Sequence, residues 1–363
     1  MQTLTPEINL VLPFITGDLV SPPARQRLLE LGEAIPGNWV AQFGFESWLG
    51  ANEPRLDFLF KAGPSVPQRQ SLAAGKPGFG PAHAGQWELI SNFCRLWSSP
   101  GSALFENVHD IWVEFDLPGV GHATPGFFFG PRERTPGAAE TGGDQWILDE
   151  ALPVLFGGEL PAEPGRGLRR CFAAAPPGAR LFHVGLLPGR ETRFVRLCFK
   201  DLTPAGIGQF LRDVAWPGGG GFDQILAEWA PLANDCVLDI DVWDDVLPKI
   251  GIEFYVWDRL AAHRHKWPVF LAHLARTGLA TAEQAQALLS WRGYCRQGNY
   301  PGTWPERLAR AADVLGSYHE SVYERTLHHV KISFAPGLPS RAKAYLSAKH
   351  LWVNSRSVDH APV

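Results

Sequence analysis

The residues able to do chemistry are concentrated on a few short alternating segments. Arg341-Ala-Lys343-Ala-Tyr345 sets two cations and a phenol at every second position, and Lys331-Ile-Ser333 sets a cation and a hydroxyl in the same way. In extended chain, such residues share one face. Lys249, Gly251, Glu253, Tyr255 and Trp257 obey the same rule, as do Val237, Asp239, Asp241 and Trp243. Other segments contribute Arg55, Asp57 and Lys61; Asp110, Trp112, Glu114 and Asp116; Phe194, Arg196, Cys198 and Lys200; and Gln42, Glu46 and Trp48. Six of the chain's eight lysines fall on these faces. A solvated sheet face is also polar, but it seldom carries Trp112, Trp243, Trp257, Tyr255 and Tyr345 among its charges. Aromatic rings interleaved with cations and carboxylates characterise a polar ligand cavity. Buried charges need partners, so a cavity this charged should hold water, an anion, or both.

The elements that must position these residues read as five hairpins. They are Trp39–Leu49 with Arg55–Lys61, Val108–Leu117 with Gly126–Gly130, Leu181–Leu187 with Thr192–Lys200, Cys236–Trp243 with Lys249–Trp257, and His329–Ala335 with Arg341–Lys349. The face opposite the charged one is apolar throughout, for example Ile250, Ile252, Phe254 and Val256. Helical patterns fill the gaps: Ser21–Leu31, Gln86–Trp97, Asp144–Leu155, Gly167–Ala174, Thr203–Ala215, Phe222–Trp229, Asp258–Thr277, Thr281–Trp291 and Pro305–Tyr318. Thr281 with Gln284 three residues on is a capping box. Lys61–Pro81 reads as a Pro/Gly-rich loop. With 363 residues and no break in composition, the reading is one domain over 1–363 with its core at about 20–354. Ten antiparallel strands covered on one side curl and close, which removes their edges. The expected fold is therefore α+β: a ten-stranded antiparallel barrel with helices outside and the charged face lining the lumen.

This layout resembles the ABBA, or PT-barrel, prenyltransferases. The most specific local match is Arg341-Ala-Lys343-Ala-Tyr345, similar to the Arg-x-Lys-x-Tyr strand of indole prenyltransferases, in which the cations bind diphosphate and the tyrosine shields the allyl cation. Lys331-Ile-Ser-Phe is similar to another strand of that family. Lys249 and Tyr255, and likewise Arg196 and Lys200, are spaced more widely than the family pattern. The resemblance implies transfer of a short isoprenoid, C5 or C10, from its diphosphate to an electron-rich acceptor in the lumen. That acceptor could be an indole, phenol, guanidine or amine, as a small molecule or a peptide. Candidate diphosphate ligands are Arg55, Lys61, Arg196, Lys200, Lys249, Lys331, Arg341 and Lys343. Candidate cation shields are Trp112, Trp243, Tyr255, Trp257 and Tyr345. Candidate catalytic carboxylates, which would orient the acceptor and take its proton, are Glu46, Glu114, Asp239 and Glu253. So many acids point to an acceptor with strong donors, an indole N–H or a cationic guanidine or amine. No cofactor is specified, and assistance by Mg2+ is left open.

Other classes fit less well. A net charge of −4 without long basic runs argues against nucleic acid as a partner. No 18-residue apolar run or basic leader is present, and the five cysteines are scattered, so a cytoplasmic setting without membrane partners is expected. Asp239-x-Asp241 with Asp244-Asp245 falls on strand and turn, not on the helix face an acidic Mg2+ motif needs. His263 and His265 diverge on a helix, and His328 and His329 should point to opposite faces, so neither pair reads as a metal site. The alternative function is a non-catalytic ligand- or peptide-binding barrel. A guanidine-modifying enzyme of five-repeat type would need a nucleophilic cysteine, and Cys295 sits in an apparent loop without that context.

Overall fold

The computed structural model describes residues 2–50, 54–75, 84–117, 124–133, 144–190, 192–218, 220–257, 263–336 and 338–354. Its strands are β1 Val40–Trp48, β2 Leu56–Ala62, β3 Val108–Phe115, β4 Pro125–Pro131, β5 Arg180–Leu186, β6 Val195–Lys200, β7 Asp235–Val242, β8 Val246–Tyr255, β9 Gly293–Arg296, β10 His319–Phe334 and β11 Pro339–Asn354. Each of β1 to β7 pairs antiparallel with the next. β8 then pairs with β10, β10 with β11, and β11 with β1. The ring closes with ten strands, as the alternation implied. The short β9 lies outside the ring, paired with β10.

Closure sorts side chains by parity. The outward face is apolar: Phe43, Phe45, Phe58, Phe60, Phe115 and Phe127 are all fully buried. Helices cover it. Phe93 of helix Ala84–Trp97 meets Phe127 at 4.9 Å, Phe210 of Pro204–Asp213 meets Phe199 at 5.1 Å, and Trp291 of Ala282–Trp291 meets Phe45 at 6.0 Å. Burial of this apolar face, aromatic and aliphatic together, drives the helices onto the barrel. Thr281 and Gln284 form the expected capping box, with Thr281 Oγ1 accepting from the Gln284 N–H at 3.1 Å.

Three local readings need correction. Val66–Ala74, inside the supposed loop, is a helix started by Ser65, whose hydroxyl caps Gln68 N–H, with Pro67 in its first turn. Residues 76–81 of that stretch lie outside the described residues. The last hairpin is far longer than expected, because a bulge between Leu327 and His329 interrupts the alternation that marks strands in sequence. Cys295 belongs to β9 and is buried, not in a loop.

Candidate active site

Strand register decides which charges meet. Across β1 and β11, Glu46 stands opposite Tyr345 and Trp48 opposite Lys343. Across β10 and β11, Lys331 faces Lys343, His329 faces Tyr345 and Ser333 faces Arg341. Two lysines directly opposite would repel. Each is neutralised from its far side, Lys343 by Glu46 and Lys331 by Asp239. Any side chain on Gly251 would collide with Lys331, so this glycine makes room for the Lys331–Asp239 pair.

One end of the lumen is built on Trp48. The side chains of Arg55, Arg341 and Lys343 lie 4.4, 4.3 and 4.0 Å from its ring centroid. The indole N–H donates to Asp57 at 2.6 Å. Nearby, Arg190 forks onto Asp116 at 3.0 and 3.1 Å and onto Glu114 at 3.0 Å. Lys249 is exposed at the end of the lumen. Partial desolvation and the charges of Lys343, Arg196 and Lys331 push it down to about 8. Among the described residues, Arg341 and Lys249 have no carboxylate partner.

The middle of the lumen carries a three-ring stack. Tyr255 and His329 are 4.7 Å apart, and His329 and Tyr345 are 4.0 Å apart. Tyr255 Oη donates to Glu253 Oε2 at 2.7 Å. Contrary to the simple alternation, His328 also reaches the cavity, because the Leu327/His329 bulge turns both histidines inward. Their Nδ1 atoms are 2.8 Å apart. Burial and Lys331 push His329 down to about 3 against the pull of Asp239, and enclosure by the lumen walls and the neighbouring ring lower His328 as well. Both are neutral imidazoles at neutral pH.

A cavity of about 1140 Å3 runs from this stack to the opposite end of the barrel. There Lys61 pairs with Asp110 at 2.6 Å, His183 Nε2 lies 3.4 Å from Asp110, and Lys200 pairs with Glu133 at 3.0 Å. Burial opposes ionisation of Glu46, but Lys343, helped by Arg190 and Lys331, holds it down to about 2. Burial and the Glu46 charge push Glu114 up to about 8 despite Arg190, so it is a protonated acid at neutral pH. Burial and Glu253 raise Asp239.

Of the residues proposed from sequence, Glu114, Asp239, Glu253, Lys61, Arg196 and Lys200 line the cavity, and so do Lys331, Trp112, Tyr255 and Tyr345. Glu46, Lys343, Arg55 and Arg341 belong to the Trp48 end. Two do not join them. A register shift between Ile240 and Val242 removes Trp243 from lumen parity, and it packs 6.3 Å from Phe156 of the outer helix Leu152–Phe156. Trp257 lies past the end of β8 and is 53% exposed. Sequence reasoning missed Arg190, which sits in the turn between β5 and β6 where alternation gives no parity. It saw Trp48 and Asp57 on the charged face but gave them no role. Among the described residues, no group of three or more His, Cys, Asp or Glu could hold a metal ion.

At the level of sequence, no family model and no curated protein matches the chain. Solved structures do match in three dimensions. The prenyltransferase PriB in its apo form aligns at TM-score 0.54 and 13% identity, over 95% of this chain and 96% of that one. The 5-dimethylallyl tryptophan synthase of Streptomyces coelicolor, in complex with DMASPP and Trp, aligns at 0.53 and 12%, over 100% and 98%. AnaPT of Neosartorya fischeri aligns at 0.52 and 14%, over 97% and 95%. The fold is that of the ABBA, or PT-barrel, prenyltransferases. Within this PT barrel the hairpin register aims every charged strand face inward, so the barrel itself brings together side chains some 300 residues apart in sequence, Glu46 and Lys343 among them. No helix among the described residues is long and apolar enough to cross a membrane.

Proposed function

We propose that this chain transfers a short allylic isoprenoid, C5 or C10, from its diphosphate to an electron-rich acceptor inside the lumen. The observation that carries the reading is the juxtaposition of Lys331 and Lys343 with the Tyr255–His329–Tyr345 stack. Ionisation breaks the bond between C1 of the prenyl group and the diphosphate oxygen, and the electron pair leaves with the diphosphate. Lys343, Lys331, Arg341 and Lys249 stabilise the charge that builds there. The stacked rings shield the allyl cation from water with their π faces. The acceptor's nucleophilic atom then bonds to C1, and the proton it loses passes to a lumen carboxylate. Glu46, held at about 2 while it pairs with Lys343, accepts a hydrogen bond there and becomes basic enough to take a proton only as Lys343 turns to the diphosphate; Glu114, protonated, is suited to donate a hydrogen bond. A cavity of this size takes an indole or phenol together with a C5 or C10 chain.

The test is thermal shift and calorimetry with DMASPP and its C10 homologue, with and without Mg2+, followed by dimethylallyl diphosphate turnover on an indole and phenol panel. The reading requires stabilisation by one chain length that is lost in Arg341→Ala. A folded protein that binds neither analogue refutes it. Binding without diphosphate release on any acceptor would favour a non-catalytic binding barrel.

A further inference from the structure

The middle of the lumen holds a charge imbalance that transfer of a prenyl group does not by itself use. Asp239 on β7 and Glu253 on β8 share one lysine, Lys331 on β10. Asp239 pairs with it, and Glu253 stands opposite it in the β8–β10 ladder. Arg196 on the adjoining strand β6 is already committed to Asp241, through Nε at 2.7 Å and Nη2 at 2.9 Å. Asp239 is 2% exposed, and its Oδ1 makes no hydrogen bond. His329, 7% exposed, likewise leaves Nε2 without a hydrogen bond, 3.6 Å from Glu253. All three line the same cavity, beside the faces of Tyr255 and Tyr345.

Water could satisfy the hydrogen bonds of such a site but not its charge. The Cys198 thiol beside Asp239 is pushed well up by burial and by that carboxylate, and so brings no charge either. The imbalance grows if Lys331 turns to a bound diphosphate, because both carboxylates then lose their shared cation. A buried carboxylate pair in that state needs a proton or a cation. Aromatic faces alongside carboxylates favour the cation.

We infer that Asp239 and Glu253 form a subsite for a cationic group, the ammonium or guanidinium of an amine- or guanidine-bearing acceptor, walled by the Tyr255–His329–Tyr345 stack. The inference rests on the prenyl-transfer reading and narrows its acceptor class. The cation anchors the acceptor and need not be the atom that is alkylated. Because the donor draws Lys331 away, donor and cation should bind with positive coupling, and each should tighten the other by the same factor.

The experiment is calorimetry on the full chain with tryptamine and agmatine as cationic probes and indole-3-acetate as the anionic one, each with and without DMASPP. Tryptamine or agmatine should bind the DMASPP-loaded protein roughly tenfold or more tighter than the protein alone, and indole-3-acetate should show no such gain. Asp239→Asn should remove the cation preference, and Glu253→Gln should weaken it. Glu253→Gln also guards against a folding defect in the first variant, with melting temperature measured for both. DMASPP binding with indole-3-acetate taken as well as tryptamine overturns the subsite and leaves the transferase reading intact. Cation binding that is lost in Asp239→Asn, in a protein that never binds DMASPP, supports the subsite and refutes the transferase. Binding of neither class of probe refutes both.

Discussion

Replacing Lys343 by Met tests whether the lumen's charge pairs are set by burial. Glu46 is 1% exposed and its counter-charge is Lys343. With both present the carboxylate sits at about 2 instead of 4.5. A gap of that size corresponds to ~3 kcal/mol of stability, present above the ordinary carboxylate range and lost as pH falls toward the folded value. Lys343→Met leaves a buried carboxylate without its cation, which typically costs ~3–5 kcal/mol. The sign of the pH dependence also inverts. With Lys343 gone, burial dominates and lifts Glu46 above 4.5, so the variant loses stability as pH rises where the parent has already gained it. The difference between the two proteins should therefore widen from pH 4 to pH 7. Urea unfolding at each pH reads it directly, and titrating groups remote from Lys343 cancel in the difference. Adding Glu46→Gln to Lys343→Met should recover most of the loss. A gap below ~1 kcal/mol at pH 7, or one that does not shrink toward pH 4, would refute the argument that burial makes this pair interdependent.

Glu114→Gln should flatten part of the pH dependence of unfolding. In the parent, a carboxyl raised from 4.5 to about 8 makes stability fall as pH climbs through that window, and a glutamine cannot titrate. Arg190→Ala should destabilise by ~1–3 kcal/mol at neutral pH, measured by urea melts, because half-buried Asp116 loses its fork and protonated Glu114 loses a hydrogen-bond donor. Trp48→Ala should weaken DMASPP binding by roughly tenfold in calorimetry, since Arg55, Arg341 and Lys343 lose the ring that holds them. Trp243→Ala, whose ring packs outside the cavity, should lower the melting temperature without changing DMASPP affinity.

Alternation made most of this barrel legible. Where a strand keeps period two, as in β8 from Ile250 to Tyr255, the sequence assigns each side chain to core or lumen. The failures fall where the period breaks. The shift after Ile240 carries Trp243 out of the lumen, and the bulge before His329 brings His328 in. Both breaks are backbone events that no residue type announces. Arg190 was hidden for a different reason: it reaches the lumen from a turn, and turns have no parity. The pairings were not legible either. Sequence places Lys331 and Lys343 on the same face, but only register tells that Asp239 serves one and Glu46 the other.

Those pairings bear on how an anion enters. A diphosphate cannot take Lys343 or Lys331 without competing with a buried carboxylate, and a carboxylate stripped of its cation in a dry site is costly. Arg341 and Lys249 have no such commitment among the described residues, and both sit at the Trp48 end. Partial desolvation and, behind it, the like charges of Lys343, Arg196 and Lys331 depress Lys249, so an arriving anion relieves the repulsive part and breaks no pair. If the lumen takes a diphosphate as proposed, first contact belongs to Arg341 and Lys249, and recruitment of Lys343 and Lys331 follows only as Glu46 and Asp239 find a proton or another cation. On this logic the exchange of partners in the lumen couples donor capture to the state of the acceptor, and an unaccompanied diphosphate meets a barrel whose deeper cations are still held.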